Sequence, residues 1–289
     1  MYKIAILGCE NSHADTFLNY IYNTKAVTDV DVIGVYSDEK DSAIKLNEKY
    51  GVAVAENYDE FVGKVDGIII TARNGVNHLK YALPYIDSGI AFFIDKPITN
   101  SEEDAVELMK RFKASNCKFS GGSSVPLSPS IIKLADVVKN KTAGEVLGGF
   151  LRSPVMMENN YGGIYFYAQH LVEMTLKIFG YYPKTLKAYQ NGKITTVIVR
   201  YDNYDVTMEF TDGYWDYYTY VSTATGMVGG IPDTSKIFED EFNAFYRILT
   251  GGQQEANHND FIAPVFVINA IKRSLENGSE EVINKAEEI

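Results

Sequence analysis

Cysteine is nearly absent from this chain. Its two thiols, Cys9 and Cys117, cannot form a disulfide framework in 289 residues, and both are expected to stay reduced. Histidine is almost as scarce: His13, His78, His170 and His258 are too scattered for a metal-ligand spacing, so no metal is expected. Basic residues are outnumbered, with 27 Lys and Arg against 38 Asp and Glu and a formal charge of −11. That excess of acid excludes nucleic acid or anionic membrane as a partner held by a general basic field. No apolar run is long enough to span a bilayer. The stretch Met1-Tyr2-Lys3-Ile4 enters a strand-like pattern at once, without the layout of a secretory leader, and the expected location is the cytoplasm. No internal repeat or low-complexity tract interrupts the chain.

What is present is an ordinary globular composition, 46% hydrophobic and 22% charged, with an unusual load of 21 Tyr and 15 Phe. Strand and helix patterns alternate through the first half. Strands are expected at Lys3–Leu7, Val30–Tyr36, Val65–Thr71, Ile90–Ile94 and Lys118–Ser120. Helices are expected over His13–Tyr22, Asp41–Tyr50, His78–Asp87 and from a capped start at Asn100 or Ser101 to about Ala114. Such alternation argues for a parallel sheet wound on both faces, hence an α/β fold with a Rossmann-type first domain. Beyond about Ser120 the pattern changes. A helix at Ser130–Lys139 and another at Ile164–Phe179 accompany strands at Val146–Leu151, Thr185–Tyr189, Ile194–Arg200, Tyr204–Phe210 and Tyr214–Val221. The period-two alternation in these strands predicts a mostly antiparallel open sheet with one covered face. The expected division is residues 1–121 and 122–289, with the final helix, Ile262–Asn277, buried and able to pack back on the first domain.

The run Ile90-Ala91-Phe92-Phe93-Ile94 ends abruptly in Asp95-Lys96-Pro97. Ligands of open α/β sheets bind outside the carboxyl ends of the strands, which puts Lys96 where chemistry is usually done. Pro97 restricts the residue before it and can take a cis bond. The first strand-to-helix turn reads Gly8-Cys9-Glu10-Asn11-Ser12-His13. A dinucleotide fold asks here for G-x-G-x-x-G, and only the first glycine is kept. Glu10 stands where backbone should approach the phosphates, and His13 stands at the helix-packing place. Asn11 and Ser12 can still cap the helix, whose amino end favours an anion. At the end of the second strand Ser37 and Asp38 are placed to meet the adenosine ribose, and the acids there favour NAD over NADP.

With Thr71-Ala72-Arg73-Asn74 followed by His78, then Asp95-Lys96-Pro97, then Gly144-Glu145-Val146, the chain resembles the glucose-fructose oxidoreductase / inositol dehydrogenase / MocA family. Gly162-Gly163 ahead of His170 fits the same ordered set. The resemblance implies a Rossmann domain followed by an α/β domain with a large open sheet, and NAD(P)-linked oxidation or reduction of sugars, polyols and related small molecules. By family position, Thr71, Asn74, His78 and Lys96 join Gly8, Glu10, Asn11, Ser12, His13, Ser37 and Asp38 around the cofactor. The family's catalytic group implies Lys96 and His170, with an Asp four residues before the His. Here that place holds Phe166. Tyr167, on the same helix, is the substitute: beside a cationic lysine its pKa would be lowered and it would relay a proton. Glu173 resembles the family's H-x-x-D and is expected to be structural.

Tyr214, Trp215, Tyr217, Tyr218 and Tyr220 crowd the last predicted strand. They suit a homodimer interface through the C-terminal sheet better than a sugar platform, since an aromatic outer face is a liability in a monomer. The leading functional expectation is an NAD(P)-dependent oxidoreductase acting on a small-molecule CH–OH group. The changes at Glu10, His13 and Phe166 leave two alternatives open: a ligand-binding or regulatory descendant without turnover, and chemistry like that of NAD-dependent glycosidases.

Overall fold

Runs of aliphatic and aromatic residues without charge become the central strands of the first sheet. The computed structural model describes residues 1–289. Its first elements are β1 (Tyr2–Leu7), α1 (Ser12–Tyr22), β2 (Val30–Tyr36), α2 (Lys40–Tyr50), β3 (Gly67–Ile70), α3 (Val76–Ala82), β4 (Ala91–Asp95), α4 (Glu102–Ala114) and β5 (Lys118–Gly122). The five strands pair in parallel in the order β2-β1-β3-β4-β5. Every residue of β3 and β4 is buried, as expected where helices cover both faces. The helix predicted over His78–Asp87 is shorter: α3 stops at Ala82 and a 3₁₀ turn, Leu83–Ser88, carries Pro84, which has no N–H to give. Ser101 caps α4 by accepting from the Asp104 N–H, with Glu102 and Glu103 in the first turn.

The second set comprises α5 (Pro129–Asn140), β6 (Val146–Val155), α6 (Tyr165–Phe179), β7 (Thr185–Asn191), β8 (Ile194–Arg200), β9 (Asp205–Asp212), β10 (Tyr218–Thr223), β11 (Gly226–Gly230), α7 (Ile237–Leu249), α8 (His258–Asn277) and β12 (Glu281–Val282). Seven of these strands form a mostly antiparallel sheet, β11-β10-β6-β9-β8-β7-β12, with one parallel pair, β6 and β9. Alternation sets its faces: Thr195, Val197 and Val199 of β8 are buried, while Ile194, Thr196 and Ile198 are half-exposed. The strand expected from Tyr214 begins only at Tyr218. Gly213 takes φ +84°, the Thr211 hydroxyl donates to the Tyr214 carbonyl, and Asp216 pairs with Arg152, so residues 214–217 leave the sheet as a loop. No helix is long and apolar enough to cross a membrane.

The chain divides into two compact units. One is Met1–Gly122 with Phe238–His258 and Ile289; the other is Ser123–Ile237 with Asn259–Glu288. The segment that returns to the first unit is therefore α7 and the loop after it, whereas α8 belongs to the second unit from Asn259 onward. The physical cause lies in α7's apolar face. Phe242, Phe245, Ile248 and Leu249 are buried in one cluster with Ile4, Ile6, Phe17, Ile69 and Phe93. Phe17 stacks edge-on against Phe93, with ring centroids 5.3 Å apart, and lies 5.3 Å from Phe242.

The turn after β1 is tightly packed. Gly8 adopts φ +74°, and a Cβ there would meet the Ala72 backbone at 2.4 Å. Gly8→Ala is expected to cost about 3 kcal/mol from combined backbone strain and overlap. Urea unfolding checks it: a midpoint equal to that of the unmodified chain would contradict the assignment.

Candidate active site

The carboxyl ends of β1 and β3, neighbours in the sheet although not in sequence, form the topological switch point of the first unit. Gly8 and Thr71 stand there. Thr71 is buried; its N–H donates to the Leu7 carbonyl and its hydroxyl to the Gly8 carbonyl at 3.0 Å, which locks the turn. Asn11 caps α1, accepting weakly from the His13 N–H at 3.5 Å. Ser12 is exposed at the first helical position, its hydroxyl 3.3 Å from Asn11 Oδ1. Glu10 projects across the turn. One carboxylate oxygen accepts from Ser37 Oγ at 2.7 Å and the other from the Arg73 N–H at 3.0 Å. An internal carboxylate thus holds two donors at the strand ends.

Asp38 follows β2, exposed, and accepts from the Tyr36 hydroxyl at 2.6 Å. Partial burial pushes its carboxyl up, but hydrogen bonds from Tyr36 and Tyr81 and the Lys80 charge outweigh this, leaving it below its ordinary value. Asn74 accepts from Asn100 Nδ2 at 3.0 Å and from the Val76 N–H. His78 is fully buried, with Nε2 2.8 Å from the Ala72 carbonyl and Nδ1 3.2 Å from the Ile98 carbonyl. Burial pushes its imidazole below the usual value. Both nitrogens face backbone, so the ring packs the loop after β3 and is not presented at the surface.

Lys96 directly follows β4 in a buried position, 4% exposed, and its bond to Pro97 is cis. Burial lowers its amine pKa; Asp95 and Glu241 oppose that shift and Arg73 adds to it. Asp95 is fully buried and accepts from the Lys96 N–H and from Asn11 Nδ2, both at 2.7 Å. His13, placed with the cofactor residues by sequence, instead turns inward: Nδ1 is 3.3 Å from Asp95 and Nε2 is 3.1 Å from Glu241. The reason is charge. Two buried carboxylates offer the imidazole partners that a solvent-facing position would lack.

In the second unit, α6 carries Phe166, Tyr167, His170 and Glu173. His170 is buried, and its Nδ1 lies 2.7 Å from Ser123 Oγ. Ser123 is itself fixed: its N–H donates to both Glu173 oxygens at 3.0 Å, and its hydroxyl accepts from the Val125 N–H. Gln169 donates to the same carboxylate. Glu173 is thus the anchor of the residue that orients His170. Tyr167 packs edge-on against His170 (4.8 Å) and against Trp215 (5.2 Å). Phe166 lies against Tyr161 (5.2 Å) and Tyr167 (5.7 Å). Burial raises the Tyr167 phenol, partly countered by a hydrogen bond with Tyr217. The lowered pKa expected for Tyr167 is therefore reversed, because the ring is enclosed by aromatic neighbours. The aromatic cluster read from Tyr214 to Tyr220 is divided: Trp215 and Tyr217 meet Tyr167, while Tyr218 and Tyr220 are half-exposed on β10.

Two residues in these clusters escaped the sequence reading. Glu241 lies in a helix that was not predicted, although Phe238, Phe242, Phe245 and Leu249 recur at helical spacing. Ser123 carried no signal beyond its place in a polar connection.

Residues 2–123 match the model of an oxidoreductase family with an NAD-binding Rossmann fold. Solved structures similar over the whole chain include the myo-inositol 2-dehydrogenase from Lactobacillus plantarum, at 15% identity and TM-score 0.83, covering 98% of this chain and 99% of that one. A myo-inositol dehydrogenase from Corynebacterium glutamicum aligns at 16% identity and TM-score 0.82, covering 99% and 100%. GenD2 from gentamicin A biosynthesis, solved in complex with NAD, aligns at 15% identity and TM-score 0.83, covering 98% and 96%. No curated protein matches by sequence. Residues 2–123 thus match the model of the glucose-fructose oxidoreductase / inositol dehydrogenase / MocA oxidoreductase family, and over its whole length the chain has the fold of these dehydrogenases.

Proposed function

We propose that the chain is an NAD(P)-dependent oxidoreductase acting on a CH–OH group of a sugar, polyol or related small hydroxy or oxo compound. The observation that carries this reading is the buried Lys96 at the carboxyl end of β4, in a unit that matches the NAD-binding oxidoreductase family. The residues present fit a dinucleotide. Gly8 keeps its turn, with no room for a Cβ against Ala72; α1 presents its amino end; and Asp38 supplies an ionised carboxylate after β2. Glu10 opposes the phosphates, but its half-buried side chain holds two donors, Ser37 Oγ and the Arg73 N–H, that an anion can take when the carboxylate swings aside.

Gly8, Asn11, Ser12 and Ser37 would hold the phosphates and Asp38 the ribose, with Thr71 and Asn74 lining the loop after β3. A carboxylate at Asp38 repels a 2′-phosphate, which favours NAD. The bound nicotinamide supplies or accepts hydride. Lys96 holds the substrate oxygen, and His170 exchanges its proton. Ser123 suits both directions of that exchange. Its hydroxyl can accept from Nδ1–H in both states, leaving Nε2 as base in the neutral ring and Nε2–H as acid once the ring is protonated. Beside His170, Phe166, Tyr167 and Trp215 form an aromatic cluster suited to the apolar face of a sugar ring. We place the protein in the cytoplasm as a homodimer joined by the outer face of the second sheet, where Leu147, Tyr189 and Met227 are exposed.

The test is a panel of polyols and sugars with NAD and NADP, read as formation of reduced nicotinamide. One or more substrates should reduce NAD, and His170→Ala should lose about a hundredfold or more in turnover. Retained activity in that variant would reject the role of His170. A second reading has one observation behind it: Glu10 occupies donors at the phosphate end of the cleft, as a ligand-binding descendant without turnover would also require.

A further inference from the structure

The second unit holds a cavity that the proposed reaction does not use. It measures about 440 Å³, within the range of small-molecule sites, and neither His170 nor Tyr167 lines it. One wall is the first part of α8, where Asn259, Ala263 and Phe266 recur at i, i+4 and i+7 and so share a face. A second wall is the loop from Tyr181 into β7. The third is the segment from Val282 to Ala286, which enters with β12. That segment is tied at both ends. Glu281 and Val282 pair antiparallel with Leu186 and Thr185, and the Ile283 N–H donates to the Lys184 carbonyl at 3.1 Å. At the far end, Asn259 Nδ2 donates to the Glu287 carbonyl at 3.0 Å. Hydrogen-bonded backbone thus bridges from β7 to α8 along one side of the cavity.

The charge of these walls is opposite to that of the chain. Against 38 acids and 27 bases overall, the lining contains two lysines, Lys184 and Lys285, and no carboxylate. Lys184 is paired with Asp202, whereas Lys285 is exposed and enters no ion pair. Asp260, the acid next to Asn259, is already taken by the Tyr182 hydroxyl at 2.6 Å. The rest of the lining is largely apolar and aromatic, with Ala263, Phe266 and Ile283 joined by Tyr181 and Tyr182. A molecule with an apolar body and one negative group matches both parts: the body covers apolar and aromatic surface, and the anion meets a lysine that no protein carboxylate neutralises. We propose that this cavity is a second binding site, for a small organic monoanion with an aromatic body, whose acid group lies at Lys285. An occupant there touches Tyr181, two residues beyond α6, the helix that carries His170. No residue of the cavity has a part in the proposed reaction, so the site stands or falls independently of the oxidoreductase reading.

The experiment is calorimetric titration of the unliganded full chain with naphthoate, and with naphthamide as an uncharged molecule of the same shape. Naphthoate should saturate one site, and the amide should bind about tenfold more weakly because it forfeits the charge pair with Lys285. Lys285→Glu, a change at an exposed position, should weaken naphthoate by about tenfold or more and leave the amide unchanged. Ala263→Phe fills the cavity from α8 and should abolish binding of both probes. NADH in millimolar excess should leave the naphthoate titration as it was, which separates this cavity from the dinucleotide cleft. Absence of saturation at millimolar naphthoate, equal affinity in Lys285→Glu, or displacement by NADH would each overturn the proposal. Ala263 is buried, and should its enlargement prevent folding, the exposed Lys285 variant and the amide still decide.

Discussion

Lys96→Ala is expected to lose about a thousandfold in turnover, within the range that a positioned acid–base or polarising group contributes. Lys96 is 4% exposed, so its amine is not a solvated surface charge that a neighbour could replace. Its strand is fixed on both sides, since β4 pairs with β3 and with β5. The fold should tolerate the change. Asp95 keeps three partners, the N–H of residue 96, Asn11 and His13, and is not left as an unpaired buried charge. Melting within a few degrees of wild type alongside the lost turnover is therefore the expected pair of results. Lys96→Arg should not restore activity, because a guanidinium keeps its proton under all working conditions and fills a different shape. Activity retained within tenfold in the alanine variant would remove Lys96 from the chemistry.

Glu10→Gly is expected to strengthen dinucleotide binding by about tenfold or more, the reverse of what replacing a binding residue does. Two effects add. The substitution removes a negative charge from the place where backbone should approach the phosphates, and a charge at contact distance near a protein surface is worth about 1–4 kcal/mol. It also releases Ser37 Oγ and the Arg73 N–H, which the carboxylate now holds at 2.7 and 3.0 Å. Glu10→Gln separates the two, since it removes the charge and keeps an acceptor; its affinity should fall between those of the wild type and the glycine variant. Calorimetric titration with NADH measures all three. Equal or weaker binding by Glu10→Gly would mean that the carboxylate does not compete with phosphate.

Much of the first unit is legible in sequence because its signals are local. Val30–Tyr36 is found as a strand with the same ends as expected, and Ser101 with its acidic followers marks the start of α4. The runs around Ile68–Ile70 and Phe92–Ile94 have no polar alternation, and only a strand covered on both faces accommodates that. The second unit is legible where apolar and polar residues alternate, as in Ile194–Arg200. It fails at Tyr214–Tyr217, where aromatic content resembles a strand but Gly213 and the Asp216–Arg152 pair turn the chain out of the sheet. The helix α7 was lost for a different reason. Its period is visible, yet nothing local says that a segment following eleven strands returns to the first core. The inner chemistry suffers most. That His13 finds Asp95 and Glu241, from β4 and α7, depends on tertiary placement over separations that no spacing rule reaches. Likewise, Tyr167 reads as a reactive phenol until Trp215 and Tyr217 enclose it.

The most direct measurement is thermal unfolding of the purified chain over a titration with NADH and NADPH. A ligand that binds only the native state raises the melting temperature by mass action. The proposed function predicts a rise that saturates with NADH, a smaller one with NADPH because of Asp38, and a larger NADH response in Glu10→Gly. No shift with either dinucleotide at millimolar concentration, in the wild type and in Glu10→Gly alike, would contradict it.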